Sequence, residues 1–247
     1  RRMCDLALEA GLPAGVLNAV TGEGAVVGEA MGLSMDIDVL GFTGSGSTGR
    51  RLMEYAARSN MKRIYLELGG KSPNIIFADA PDLDEAAMVA AAGIFRNSGQ
   101  VCVAASRLLV EASIHDDFLA AVAKAAIAMR VGDPLDMSTA IGAINSEVQL
   151  KQNIGFVDTA VSEGGNIALG GTRILQETGG YYMAPTIITG VTPEATLTQK
   201  EVFGPVLGVT PFTTDDEAVR IANATVYGLA GGVWTSSLSR AHRMVRD

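Results

Sequence analysis

The run Val39-Leu40-Gly41-Phe42-Thr43-Gly44-Ser45-Gly46-Ser47-Thr48-Gly49 decides the fold. An apolar, strand-like segment ends at Thr43, glycines follow, and a helical pattern opens on them and continues to about Ser59. The next segment, residues 63–68, again has strand composition and stops at Gly69-Gly70. Strands separated by helices of this length predict parallel βαβ units covered on both faces, hence an α/β fold. Upstream, residues 1–9 read as a helix stopped by Gly11 and Pro13, 16–20 as a short strand and about 25–31 as a small helix. Downstream, strands are expected at 74–77, 107–111, 167–169, 186–188, 206–212 and 232–235. Helices are expected from Leu83 (capped by Asp82) to about Arg96, and over about 116–129, 146–162, 215–223 and 238–247. A polar stretch fills 132–145, and the most natural break falls at Gly69-Gly70.

Composition narrows the class of protein. The chain has 247 residues, 48% hydrophobic and 19% charged, which is too apolar for intrinsic disorder. Its longest uncharged apolar run, 86–95, is ten residues, half of what a membrane helix needs. A net charge of −8 argues against a nucleic-acid or anionic-membrane surface. Cys4 and Cys102 are the only cysteines, so there is no disulfide framework and no cysteine-based zinc site; a reducing, cytoplasmic setting fits best. No metal site is expected.

Three stretches carry candidate chemistry. The turn from Phe42 to Gly49 can bring backbone N–H groups at a helix start close to a phosphate, with Ser45 adding a hydroxyl. It lacks the lysine of a nucleoside-triphosphate loop, and its glycine spacing departs from G-x-G-x-x-G, so a plain tight turn is an equal reading. Cys102 follows a helix end and a Gly-Gln turn, where a thiol can face a cleft; a small buried hydrophobe is the ordinary alternative. His115 and His242 both lie in polar helical contexts that read as solvated surface, which disfavours a Cys-His hydrolase. Cys4, near Leu6 and Leu8, reads as core packing. Glu67 ends an apolar strand, at the carboxyl edge where open α/β sheets bind ligands, or else is an edge carboxylate in water.

Taken together, these stretches resemble the aldehyde dehydrogenase superfamily. Leu66-Glu67-Leu68-Gly69-Gly70-Lys71-Ser72-Pro73 is similar to its glutamate motif. The segment from Phe95 to Gly99-Gln100-Val101-Cys102 is similar to its cysteine motif, 35 positions on as in the family. Phe42-Thr43-Gly44-Ser45 with Gly49, Glu201-Val202-Phe203-Gly204-Pro205 and Gly11-Leu12-Pro13-Ala14-Gly15-Val16-Leu17-Asn18 match further family motifs. The resemblance implies the C-terminal part of a Rossmann-like NAD(P)-binding domain over 1–69 and a catalytic thiol domain over 70–247. It implies Cys102 as nucleophile, giving a thiohemiacetal and then a thioester, and Glu67 as general base on the hydrolytic water. The cofactor would be NAD or NADP, with NAD favoured. Phe42, Thr43, Gly44, Ser45, Thr48 and Gly49 would cradle it, with Ser45 near the diphosphate and Thr48 near the adenosine. Leu68 and Gly69 would offer backbone groups along the nicotinamide pocket, Glu201 would hold the nicotinamide ribose, and Phe203 would pack beside the ring.

The resemblance also bears on substrate and completeness. Residues 59–63, 75–83 and 238–244 resemble bacterial ω-amino aldehyde dehydrogenases, the γ-glutamyl-γ-aminobutyraldehyde enzymes nearest. Arg96 sits where relatives line their substrate tunnel and reads either as a partner for a substrate carboxylate or as a solvated helix end. A small-molecule aldehyde is the expected partner, and a homodimer or homotetramer the expected assembly of a full-length enzyme. The family's oxyanion asparagine and adenosine-ribose residues belong upstream of Arg1, and its final motif and oligomerising strand downstream of Asp247. The chain is therefore expected to be an internal piece, inactive or nearly so alone, since an oxyanion donor is worth roughly 3–4 kcal/mol. Two other readings stay open: coenzyme A-dependent acyl transfer or thioester chemistry on the same cysteine, and a non-catalytic truncated product.

Overall fold

A computed structural model describes residues 2–247, which divide into two compact units, one ending at Leu68 and the other spanning Gly69–Asp247. The first unit comprises α1 (Arg2–Glu9), α2 (Gly24–Leu33), β1 (Val39–Thr43), α3 (Gly46–Ala57) and β2 (Arg63–Glu67). β1 and β2 pair in parallel, from Val39 opposite Arg63 to Thr43 opposite Glu67, with α3 as the crossover. Ser45 starts α3 because its hydroxyl accepts the Thr48 N–H, relieving one of the free donors of the first turn. Gly49 faces β2: a Cβ there would lie 2.8 Å from Leu68 Cδ2, so glycine lets helix and strand approach.

Three expectations fail in this unit. Residues 16–20 form no strand; they follow Gly15 at φ +88° and lie exposed with no ladder partner among the described residues. The two-stranded sheet alternates exposed with covered positions, and Leu40 is its one buried residue, so only one face is covered. Cys4 is half-buried on a helix with no buried residue, which is not core packing.

The second unit runs β3 (Pro73–Ile76), α4 (Leu83–Phe95), β4 (Arg107–Glu111), α5 (His115–Ala128), α6 (Glu147–Ser162), β5 (Asn166–Leu169), β6 (Arg173–Ile174), β7 (Tyr182–Met183), β8 (Thr186–Thr189), α7 (Thr196–Gln199), β9 (Val206–Phe212), α8 (Asp215–Ala222), β10 (Gly232–Trp234) and α9 (Leu238–Arg246). Six strands make one sheet in the order β10-β3-β4-β9-β8-β5. All pair in parallel except β5, which runs antiparallel to β8. The antiparallel edge and the small β6–β7 hairpin depart from the uniformly parallel expectation.

Burial on both faces explains why β3 and β4 read as unbroken apolar runs. Ile76, Leu108 and Val110 pack on one side under α4 and α5, while Ile75, Leu109 and Phe212 pack on the other under α8. Asp82 caps α4 by accepting the Glu85 N–H at 2.9 Å, and Ser146 caps α6 through Gln149 N. The alanines of α4 at 86, 87, 90 and 91 are all buried, so a small-residue stripe covers the sheet.

Candidate functional site

In the first unit the candidate residues gather at the carboxyl ends of β1 and β2. Thr43 and Glu67 face each other as the last ladder pair, and Gly44 N–H donates to Glu67 O at 3.0 Å, extending the ladder one step into the turn. Glu67 is exposed, as are Thr43, Gly44 and Ser45; Phe42 and Thr48 are half-covered. The Phe42 ring lies over Gly44, where a Cβ would overlap it. Above Gly46 the first turn of α3 is open, a Cβ there meeting only the Arg50 guanidinium at 3.6 Å. Free amides at this helix start, with the Ser45 hydroxyl beside them, suit a phosphate. Gly49 is buried and packs against the Leu66 and Leu68 side chains. Half-buried Leu68 supplies part of that packing surface.

In the second unit, interlocking glycines bring the cysteine loop and the 201–205 segment together. Asn97, Ser98 and Gly99 are consecutive left-handed residues, with φ of 51°, 56° and 68°. Such strain persists only where surroundings over-determine it, and here they do. Ser98 Oγ donates to Gly142 O at 2.7 Å, Asn97 Nδ2 to Gln100 O at 3.0 Å, and Asn145 N to Gln100 Oε1 at 3.0 Å. The polar stretch 132–145 thus supports the loop that delivers Cys102. Gly99 lies against the Gly204 carbonyl, and Gly204 in turn against the Asn153 amide, both so closely that a Cβ would overlap. Gln149 Nε2 ties the segment down by donating to Val202 O at 2.9 Å. Cys102 emerges half-covered.

Gly69-Gly70 forms the floor of this site. The Cys102 carbonyl packs on Gly70, and the Glu201 carboxylate packs on Gly69. Gly70 N–H donates to Glu201 Oε1 at 3.3 Å. Burial pushes the Glu201 carboxyl above its ordinary range, opposed by that N–H bond and by the charge of Lys71. Phe203, half-buried, is held left-handed at φ 55° between Val202 and Gly204. A half-buried carboxylate with a single backbone donor has lone pairs left for hydroxyls, as a sugar would present. The open first turn of α3 fits a phosphate, and, within the second unit, this carboxylate fits the hydroxyls of a sugar.

Arg96 is exposed at the C-cap of α4, in line with the solvated helix end. His242 is exposed, whereas His115 is mostly covered and bonds Asp116 Oδ1 through Nδ1 at 2.8 Å. The segments that resembled amino aldehyde enzymes do structural work. Lys62 is buried and donates to Gly32 O and Ser59 Oγ, and Asn60 donates to Met35 O and Ile37 O. Asp79 pairs with Arg240. Sequence reasoning did not single out Ser98, Asn153, Gln149, Lys71 or Arg107, although Lys71 stood inside the glutamate motif and a lysine amid an apolar strand approach was a usable signal.

The chain is thus an α/β protein whose second unit has a glycine-floored cysteine loop beside a half-buried acceptor carboxylate, and whose first unit has an open helix start. A sequence profile of the aldehyde dehydrogenase family matches residues 1–247, and the chain belongs to that family. It is 48% identical over 245 residues to the NADP/NAD-dependent aldehyde dehydrogenase PuuC of Escherichia coli, covering 99% of this chain and 49% of that protein. The solved γ-glutamyl-γ-aminobutyraldehyde dehydrogenase of Burkholderia cenocepacia superposes with a TM-score of 0.96 at 50% identity, over 99% of this chain and 49% of its own. An indole-3-acetaldehyde dehydrogenase solved with NAD+ gives a TM-score of 0.98 at 51% identity, over 99% and 50% of the two chains. The chain therefore spans about half the length of the relatives it matches.

Proposed function

We propose that this chain carries the nucleophile-bearing half of an enzyme that oxidises an aldehyde to a carboxylic acid with NAD(P)+. The observation that supports the reading is the strained loop 97–99, locked on Gly204 and on residues 142–145, which leads into a half-covered Cys102 whose backbone carbonyl packs on Gly70. Ordering the thiol in this way removes part of the entropic cost of attack on a carbonyl carbon. The Cys102 thiolate attacks the carbonyl carbon to give a thiohemiacetal, which becomes a thioester by giving up one hydride from carbon and the proton of its hydroxyl; a dinucleotide held by these residues would supply the hydride acceptor. Glu67 then takes a proton from the water that hydrolyses the thioester.

The remaining residues hold and orient. Gly46 and Ser47 amides with Ser45 receive the diphosphate, the Glu201 carboxylate accepts from ribose hydroxyls, and Phe203 flanks the ring. Glu67 favours hydrolysis over transfer to coenzyme A, because a base at that position delivers water. Amino aldehydes are the proposed substrate class, in keeping with the PuuC and γ-glutamyl-γ-aminobutyraldehyde relatives. NAD is the favoured cofactor, in keeping with the NAD+-bound indole-3-acetaldehyde enzyme.

Mass spectrometry after incubation with an ω-amino aldehyde and NAD+ tests the reading. In a full-length enzyme carrying this chain, the Glu67→Gln variant is expected to accumulate an acyl adduct on Cys102, the unsubstituted enzyme to release the acid, and Cys102→Ala to do neither. Acid formation that survives Cys102→Ala would overturn it.

A further inference from the structure

Asn153 breaks two local rules at once. Asparagine is a poor helix former and is seldom fully buried, yet it stands inside α6 with no exposed surface. A buried amide is tolerated where its donors are used. Its nitrogen lies 3.0 Å from Val202 O and 3.2 Å from Gln149 O; an oxygen turned that way would face two carbonyl oxygens. Gln149 Nε2, one turn earlier on α6, donates to the same Val202 O at 2.9 Å. The Asn153 amide also packs on Gly204, so closely that a Cβ there would lie 2.1 Å from it.

Phe203 stands between these two contacts. It is left-handed at φ 55°, a conformation that a residue with a side chain keeps only where its surroundings impose it. Asn153 imposes it from both ends, by a hydrogen bond to the carbonyl before Phe203 and by contact with the residue after it. The Val202 side chain is 3% exposed and belongs to the same apolar cluster as Leu150 and Val157 of α6. Val202 is thus anchored to α6 through its carbonyl and its side chain, while the carboxylate of the preceding Glu201 lies on Gly69-Gly70.

We propose that Asn153 is a positioning residue for Phe203 and, through Val202, for Glu201: a buried amide that holds the left-handed turn on which both cofactor-facing groups are carried. This deepens, and rests on, the reading of Glu201 and Phe203 as the residues that hold the nicotinamide end of a dinucleotide. Being fully buried, Asn153 acts through them alone.

The test uses a full-length enzyme carrying this chain, with a fluorinated phenylalanine in place of Phe203 read by fluorine NMR in the absence of cofactor, beside calorimetric titration with NAD+. Asn153→Leu keeps the branched shape and removes the donors. Its fluorine signal is expected to shift or broaden, and its NAD+ affinity to fall roughly tenfold, the equivalent of one buried hydrogen bond. Val157→Ala, one turn further along α6 and buried in the same cluster as Val202, is the control; it should lower the melting temperature and leave both readings at their parent values. A fluorine signal that moves no more in Asn153→Leu than in Val157→Ala overturns the proposal. Asn153→Asp is the rescue: protonated, its carboxyl can donate to Val202 O; ionised, it cannot, and burial against two carbonyl oxygens favours the protonated form. Measured against the parent at each pH, its fluorine signal should match the parent at low pH and depart from it as pH rises. A departure that does not vary with pH is again fatal, and this arm decides alone should Asn153→Leu fail to fold. A displaced fluorine signal with NAD+ affinity unchanged in both Asn153→Leu and Glu201→Gln would reject the cofactor reading of Glu201 and Phe203, and with it this purpose for Asn153.

Discussion

Gly99 rests on the carbonyl group of Gly204 with no room for a Cβ between them, and it does so at φ +68°. The contact joins the cysteine loop to the segment bearing Glu201 and Phe203, so one backbone-on-backbone approach sets the relation between nucleophile and acceptor carboxylate. Replacing Gly99 with alanine meets two penalties, the left-handed backbone and the overlap. We expect a loss of about 2–5 kcal/mol, the sum of roughly 1–2 for conformation and 1–3 for overpacking. Gly179→Ala is the control, since Gly179 has φ +76° and open space where the Cβ would go; it should cost only about 1–2 kcal/mol. Urea denaturation of both variants measures the difference, and equal losses would show that the Gly204 contact is not the constraint.

Ser98 gives a second handle on the same loop. Its hydroxyl donates to Gly142 O at 2.7 Å, and the residue is 2% exposed. Ser98→Ala removes the donor and leaves a buried acceptor short, which costs about 1–3 kcal/mol. The loop should loosen locally, so Cys102 alkylation by iodoacetamide should quicken while Cys4 alkylation stays constant. An unchanged Cys102 rate would mean that Gly142 does not restrain the loop.

Much of this was legible in the sequence, for identifiable reasons. The strands 39–43, 107–111 and 206–212 emerge with the expected bounds because their β-branched and apolar runs end at glycine, at charge or at the polar Thr213-Thr214 pair. Helix starts at Asp82 and Ser146 follow from cap chemistry. Residues 16–20 misled because apolar composition alone cannot say whether a ladder partner exists. Residues 167–169 read as a strand, but composition carries no strand direction, so the antiparallel pairing of β5 did not show, and the β6–β7 hairpin escaped because each of its strands is two residues long. Within the site, motif residues could be named, but what holds them could not. Asn153 lies 51 positions from Gly204 and 51 from Cys102 in the sequence, and only the fold brings it under the cysteine loop's partner.

Lys71 makes stability depend on pH in an unusual direction. Burial brings it from 10.5 to about 7, so between those values the unfolded chain holds more protons than the folded one. Stability from this group therefore rises with pH from about 7 to about 10.5, and below 7 the cost of burying the charge is felt in full. At roughly 1.4 kcal/mol per pKa unit the cost reaches about 5 kcal/mol. Lys71→Met should thus stabilise the chain most at about pH 6, with the advantage shrinking toward pH 10. Urea midpoints across that range check it; a Met advantage that does not vary with pH would contradict the buried, titrating amine.

The last helix is held by charge rather than by burial. α9 has no buried residue, yet Arg240 pairs with Asp79 at 2.9 Å and Asp215 at 3.2 Å, its guanidinium sits 4.5 Å from the centre of the Phe77 ring, and Arg243 pairs with Asp216. Since Asp79 lies between β3 and α4 and Asp215 and Asp216 lie on α8, losing the clasp should free α9 before the sheet responds. Arg240→Met keeps the alkyl stem and removes the charge, at a cost of about 1–2 kcal/mol from the ion pairs and the ring contact together. Amide hydrogen exchange over residues 241–246 should quicken while β3 and β4 stay protected. Raising salt to about 0.5 M should produce part of the same loosening in the parent chain, because partly exposed pairs are screened, and little more in the variant. An equal salt response in both would show that apolar contact, through Met244 against the Phe77–Phe212 cluster, holds the helix instead.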